Sequence, residues 1–357
     1  MDNDTVFGTL RQYAGVRALL QQNFSTAESS MQYTTLGKTG LRVSVAGLGC
    51  GGNSQLGLSR GRSEADAVAL VRAAMDLGVN FFDTSEAYVT EPILGRAVGG
   101  GSRDRVVLCT KGRYRDMHSG ELHPVKTFLA NFENSLRRLA VDHVDVFLVH
   151  GLLPTHYEHV RQELVPLLLR EKEKGKIGHL GLSEFPGRDP DHATLQRALD
   201  DSCWEVMMLG FHLLHQNASV TVFPRTVAQG VGTAVMYAVR NIFSRPGALQ
   251  ETLKHLAARG EIPAELANDD PLGFLIHRGG ATSLIDAAYR FARHERGADV
   301  ILFGTSDQDH LRVNVESLLK PPLPLADVEQ LRALFGRLRG VGLDLPDIPR
   351  AAASRPA

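Results

Sequence analysis

Three side chains of chemically useful type close short apolar runs in this 357-residue chain, and a fourth follows the first of them. Phe81-Phe82-Asp83-Thr84 ends in a carboxylate, with Tyr88 five residues beyond Asp83. Val106–Thr110 runs into Lys111, and Val146-Phe147-Leu148-Val149 runs into His150. A carboxylate, an ammonium, an imidazole and a phenol gathered at one rim suit carbonyl reduction. Hydride arriving at a carbonyl carbon leaves negative charge on oxygen, which needs a proton donor and fixed dipoles. A phenol is a weak acid, with a reference pKa of about 10. A lysine ammonium about 4 Å away, at an effective dielectric of about 20, favours the phenolate by roughly 4 kcal/mol, or about three pKa units. Tyr88 is therefore expected as general acid, Lys111 as its activator, Asp83 as the group that orients Lys111, and His150 as polariser of the substrate oxygen. Singly, each residue reads more simply as a helix cap or a solvated rim residue; their occurrence on successive runs carries the functional reading.

Those runs belong to an alternation of strand-like and helix-like segments. The expected strands are Val45–Gly49, Asn80–Thr84, Arg105–Thr110, Val144–His150, Ile177–Ser183, Val206–Phe211, Thr233–Tyr237 and Val300–Gly304. Continuous apolar character marks strands covered on both faces. Amphipathic helices are expected between most of them, including Ala65–Leu77, Pro124–Leu139, Tyr157–Lys174 and Ala281–His294, with Gly78 and Gly175 as stop signals. Eight βα units in one continuous body predict an α/β fold, a (β/α)8 barrel, whose chemistry sits where strands end and loops begin. Ahead of it, Tyr33–Leu36, Gly37–Gly40 and Leu41–Ser44 read as a hairpin. Residues 1–30 read as a polar extension with a short helical pattern from Leu10 to Leu20, residues 31–345 as the barrel domain, and residues 346–357 as a tail. The stretch Ser244–Gly280 is too long for one βα connection and is expected to add helices over one end.

This combination resembles the aldo-keto reductase superfamily. The resemblance rests on Leu36-Gly37-Lys38-Thr39-Gly40-Leu41, Gly47-Leu48-Gly49, Asp83-Thr84 with Tyr88, Thr110-Lys111, Val149-His150 and Gly181-Leu182-Ser183, and extends from about Met31 to Pro324. It implies that Asp83, Tyr88, Lys111 and His150 form a catalytic tetrad. NADPH is the implied cofactor, with NADH as the alternative, and an aldehyde or ketone the substrate. It implies a nicotinamide stacked on Tyr237, with Ser183 holding the amide. The family's usual asparagine beside that serine is Glu184 here, and its strand-six glutamine is Met208; Glu184 is expected to accept from the amide. Gly304, Thr305 and Ser306 lead to His310, Arg312 and Asn314 on the next helix, whose first amides suit a phosphate. Basic residues usual at Gly304 and His310 are missing, so Arg312 or Arg240 is expected to hold a 2′-phosphate. Substrate contacts are expected from Asn53 and Gln55, and from Arg113 and Tyr114 in the loop Gly112–His123.

Composition narrows the remaining classes. With 39 basic against 40 acidic residues the net charge is −1, which gives no footprint for nucleic acid or an anionic membrane. Cys50, Cys109 and Cys203 are widely spaced, so reduced thiols and a cytoplasmic setting are expected. Neither a secretory leader nor a membrane-spanning segment is read. Oligomeric state is left open. Gly47–Gly52 fits a GxGxxG pattern, but no helix follows at once, so a Rossmann site is not expected. The pairs His156/His159 and His212/His215 lack a third metal ligand and read as surface or rim histidines. Two rivals stand beside the reductase: a Schiff-base lyase using Lys111, and a cofactor-binding regulatory protein with little turnover.

Overall fold

The computed structural model describes residues 30–268 and 270–343, and the second of the two units into which the chain divides begins at Met31. The expected extension, with its Leu10–Leu20 helix, and the C-terminal tail lie outside the described residues.

Ten strands form. β1 (Tyr33–Thr35) and β2 (Arg42–Ser44) pair antiparallel. β3 (Ala46–Gly49), β4 (Phe81–Asp83), β5 (Val107–Gly112), β6 (Val144–Leu152), β7 (Ile177–Glu184), β8 (Val206–Gly210), β9 (Gly232–Met236) and β10 (Val300–Phe303) are all parallel. They close in the order β10-β3-β4-β5-β6-β7-β8-β9. The eight-stranded barrel and its leading hairpin stand as expected.

Side-chain alternation along a strand decides what each face holds. One parity (Phe81, Val107, Cys109, Val146, Leu148, Val206, Met208, Ala234, Val300 and Leu302) fills the barrel interior. The other (Phe82, Leu108, Phe147, Leu182, Leu209, Val235 and Ile301) meets the surrounding helices. Asp83, Lys111 and His150 share the inward parity, so they form the charged cap of an apolar interior. The hairpin plugs the opposite end with Leu36 and Val43. Gly37 lets it seat there: its φ is +50°, and a Cβ would stand 2.3 Å from the Gly232 nitrogen. With the N-terminal mouth closed, only the C-terminal rim is open to chemistry.

The helices start where local signals place them. Ser63 caps Glu64–Asp76 through a reciprocal box with Asp66, and Ser283 caps Leu284–Arg293. Leu139 ends Val125–Leu139 before Ala140 in the left-handed region. The single helix expected over Tyr157–Lys174 is instead broken: Tyr157–His159 is followed by a π turn at Val160–Leu164 and then by Val165–Glu173. Pro166 supplies the reason, since it has no N–H to continue the ladder. Beyond β9 the long connection holds Asn241–Ser244 and Ala248–Ala258 with two short 3-10 turns. All three cysteines are free. Among the described residues no helix is long and apolar enough to cross a membrane.

Candidate active site

Lys111 is almost fully buried. Its Nζ donates to Asp83 Oδ2 (2.7 Å) and to the Thr84 carbonyl (2.8 Å), and lies 2.6 Å from Asp83 Oδ1. Burial is the largest single influence and works against the ammonium, but the charge of Asp83, the charges of Tyr88 and Cys109 and the Asp83 hydrogen bond together overcome it, and its pKa ends above the ordinary value. Above this pair stand the half-buried Tyr88 and His150, edge to face with ring centroids 5.8 Å apart. Lys111 Nζ is 5.1 Å from the Tyr88 ring centroid. The structure thus gathers the four expected residues, with a buried ion pair beneath two accessible proton-bearing groups.

One electrostatic expectation is corrected. Lys111 does pull the Tyr88 phenol down, but burial is the larger influence and Asp83 adds to it, so the phenol lies above its ordinary pKa. The lysine charge is largely spent on Asp83. In the resting protein the phenol keeps its proton at neutral pH.

His150 is driven well below the usual histidine range, first by burial and then by the charges of Lys111, Arg113 and Arg115. It is therefore neutral, and its tautomer matters. Ser85 Oγ lies 3.0 Å from His150 Nδ1 and accepts from the Ala87 N–H. If the Ser85 hydroxyl donates to Nδ1, the ring proton sits on Nε2; the competing acceptor, the Lys111 carbonyl, is farther at 3.3 Å. Ser85 was not singled out in the sequence, because a serine after a strand end carries no signal of its own.

Gly51 is a second residue missed. A Cβ there would lie 2.3 to 2.5 Å from three Tyr88 ring atoms, so only glycine leaves room for the phenol. The signal was the glycine run Gly47–Gly52, read for its phosphate-loop likeness rather than for close approach of a ring.

Around the rim the expected contacts divide. Ser183 accepts from the Gly151 N–H at 2.9 Å. Tyr237 is half-buried at the end of β9 with φ of +72°, a conformation costly for a tyrosine. The Arg240 guanidinium stacks 4.2 Å from its ring centroid. Glu184 does not reach the cleft: its side chain is fully buried, with Oε2 2.7 Å from His192 Nδ1 and Oε1 accepting from Gly210 N–H at 2.8 Å. Met208 is buried in the barrel interior. Tyr114 is likewise removed as a substrate contact; it is buried, and its Oη accepts from Leu153 N and Arg115 Nε and lies 3.1 Å from His156 Nδ1. Arg113 remains part-exposed, its backbone N–H bound by Glu86. Asn53 is exposed, and Gln55 opens a 3-10 turn with φ of +44°.

At the expected phosphate end, Gly304 is exposed while Thr305, Ser306 and Asn314 are buried. The helix Gln308–Leu319 is capped by Asp307, whose Oδ1 accepts from the Asp309 and His310 amides at 2.8 and 3.1 Å. Those amides are therefore already taken by a carboxylate. His310 is exposed, and Arg312 pairs with Asp309 at 3.0 Å on the outer face. Arg60 and Arg62, unmarked in the sequence, reach this loop instead, at Ser306 Oγ (3.3 Å) and Asp307 Oδ2 (3.5 Å). Folding brings them across from the far side of β3.

His212 and His215 are fully buried rather than at the surface, near His192 and the segment at Gly340. Burial depresses them to about 3 and about 2. Among the described residues no group of His, Cys, Asp and Glu is arranged to hold a metal.

A family model described as "Aldo/keto reductase family" matches residues 47–335. The chain belongs to the aldo/keto reductase family. It is 34% identical over 165 residues to L-galactose dehydrogenase of Arabidopsis thaliana, covering 44% of this chain and 50% of that protein. It is 32% identical over 176 residues to the uncharacterized oxidoreductase YrpG of Bacillus subtilis, with the same coverages. The chain thus spans half the length of these curated relatives. Aldo-keto reductase AKR11C1 from Bacillus halodurans, in its holo form, has the same fold at a TM-score of 0.66, with 23% identity over 85% of this chain and 96% of that one.

Proposed function

We propose that this family member reduces an aldehyde or ketone with NADPH, Tyr88 delivering the proton. The observation that carries the reading is the division of the tetrad into a buried Asp83–Lys111 pair and an accessible Tyr88–His150 pair. When bound, the cofactor supplies hydride. The chain's own residues do the rest. His150, neutral and carrying its proton on Nε2, orients the carbonyl oxygen by a hydrogen bond. Tyr88 Oη transfers its proton as charge builds on that oxygen. Lys111, fixed by Asp83 and the Thr84 carbonyl, stabilises the phenolate left behind.

The residues present fit a nicotinamide cofactor at its ring end, while at the phosphate end Arg60 supplies a cation where Asp307 already takes the helix amides. A flat guanidinium already stacks on Tyr237, so that ring suits a planar electron-poor group. Ser183 keeps a hydroxyl proton to donate, and Arg60 stands at the Ser306 loop. With Glu184 turned inward, the amide end relies on Ser183. Lys111 argues against a Schiff-base lyase, because that chemistry needs a neutral amine and this one is raised in pKa by its carboxylate partner.

The test follows NADPH oxidation across a carbonyl panel, with NADH beside it. Tyr88→Phe should abolish turnover and leave NADPH binding, read by nicotinamide fluorescence, nearly unchanged. Retained turnover in that variant would rule out Tyr88 as donor. Binding with no turnover of any carbonyl supports a regulatory role, and borohydride trapping on Lys111 supports the lyase.

A further inference from the structure

We infer that Arg113 and Arg115 form an anion subsite beside the carbonyl position, selecting aldehydes or ketones that also carry a carboxylate. The inference rests on the reductase reading and names its substrate class.

The argument begins from charge accounting at the rim. Asp83 is matched by Lys111 at 2.6 Å, Glu91 by Arg138 at 2.6 Å, and Glu86 lies 3.8 Å from Arg113. Arg115 has no such partner: among the described residues no carboxylate stands within 4.0 Å of it. Among the described residues its acceptors are Tyr114 Oη at 3.2 Å and the Asp116 carbonyl at 3.5 Å, both neutral, and Nη2 has none. Yet the residue is only 3% exposed. Guanidinium stays charged under all ordinary conditions, so burying it without a counter-ion is costly. Proteins rarely keep such a group unless something else completes it.

Its surroundings say what that something touches. Arg115 extends from the loop after β5 toward the ends of β6 and β7, where its guanidinium lies 5.8 Å from the Phe185 ring. Phe185 follows Glu184 directly, and a Cβ on Gly151, the neighbour of His150, would stand 3.9 Å from it. The charges of Arg113 and Arg115 are both felt at His150. Two cations, one buried and one part-exposed, thus bear electrostatically on His150, and Arg115 shares the neighbourhood of Phe185 with Gly151. Glu86 stands 3.8 Å from the Arg113 guanidinium, beyond hydrogen-bond distance, and has no ion pair with Arg115. A planar fork whose Nη2 is buried and unpartnered matches a carboxylate that would complete it.

The experiment compares ω-oxo carboxylic acids of several chain lengths with their methyl esters, using NADPH and the full chain. The acids should be favoured in kcat/KM by about 10- to 100-fold at the best length, the range for a hydrogen-bonded charge. Arg115→Met should erase that preference while leaving ester turnover and the NADPH KM close to wild type. Equal use of acid and ester by the wild type overturns the inference, as does an equal loss on both substrates in the variant. A raised NADPH KM moves the arginine to the cofactor and overturns it too. Should Arg115→Met fail to fold, Arg113→Gln must lower the same preference. Absence of turnover with every carbonyl sinks the reductase reading instead; the inference is then judged by thermal stabilisation with glutarate, expected in the wild type and absent in the variant.

Discussion

Gly51→Ala tests the site through its geometry rather than its chemistry. The φ of Gly51 lies outside the left-handed region, so alanine brings no backbone strain. Its Cβ would stand 2.3 Å from Tyr88 Cε2, whereas ordinary contact begins near 3.4 Å, so the ring must retreat by 3.4 − 2.3 = 1.1 Å. A misplacement of about 1 Å at a reacting group costs on the order of 100-fold, or about 2.7 kcal/mol of transition-state stabilisation. Tyr88 is half-buried rather than locked in the core, so stability should change by less than about 1 kcal/mol. The assay is kcat on the best aldehyde from the panel, with NADPH affinity and the melting temperature measured alongside. In a Tyr88→Phe background the same alanine should add almost nothing, because the displaced group no longer acts. A Gly51→Ala enzyme with kcat within about twofold of wild type would refute the claim that Tyr88 must sit where this structure puts it.

Other expectations follow from the same contacts. Ser85→Ala frees His150 to take either tautomer and should lower kcat by about 3- to 10-fold with KM for NADPH unchanged; an unaltered kcat removes Ser85 from the positioning role. Acid should destabilise the fold through His212 and His215. Their folded pKa values, about 3 and about 2, lie below the unfolded value, so the unfolded chain binds more protons. The stability they contribute is complete above the unfolded pKa of about 6.5 and is lost as pH falls below it, at about 1.4 kcal/mol per histidine per pH unit. Urea unfolding at several pH values should show this slope, and the double variant His212→Leu, His215→Leu should flatten it; parallel slopes would exclude the mechanism. Tyr237→Ala should weaken NADPH binding by about 5- to 10-fold, measured by fluorescence titration, and undiminished affinity would remove the ring from the cofactor site.

Much of this protein was legible along the chain because its signals are local. Eight apolar runs bounded by turns named the eight barrel strands, and the ends of three successive runs put Asp83, Lys111 and His150 at one rim. Periodicity and capping residues such as Ser63 carry their information within a few positions. Tertiary structure alone decided what depends on neighbours distant in sequence. It turned Glu184 inward onto His192 and buried His212 and His215. It brought Arg60 and Arg62 to the Ser306–Asp307 loop, and left Arg115 inside the protein with no carboxylate partner among the described residues. Each of those outcomes is set by burial and charge summed over several elements. A strand's pattern specifies which way a side chain points, but only the assembled rim specifies what it meets there, and a group's protonation and reach follow from what it meets.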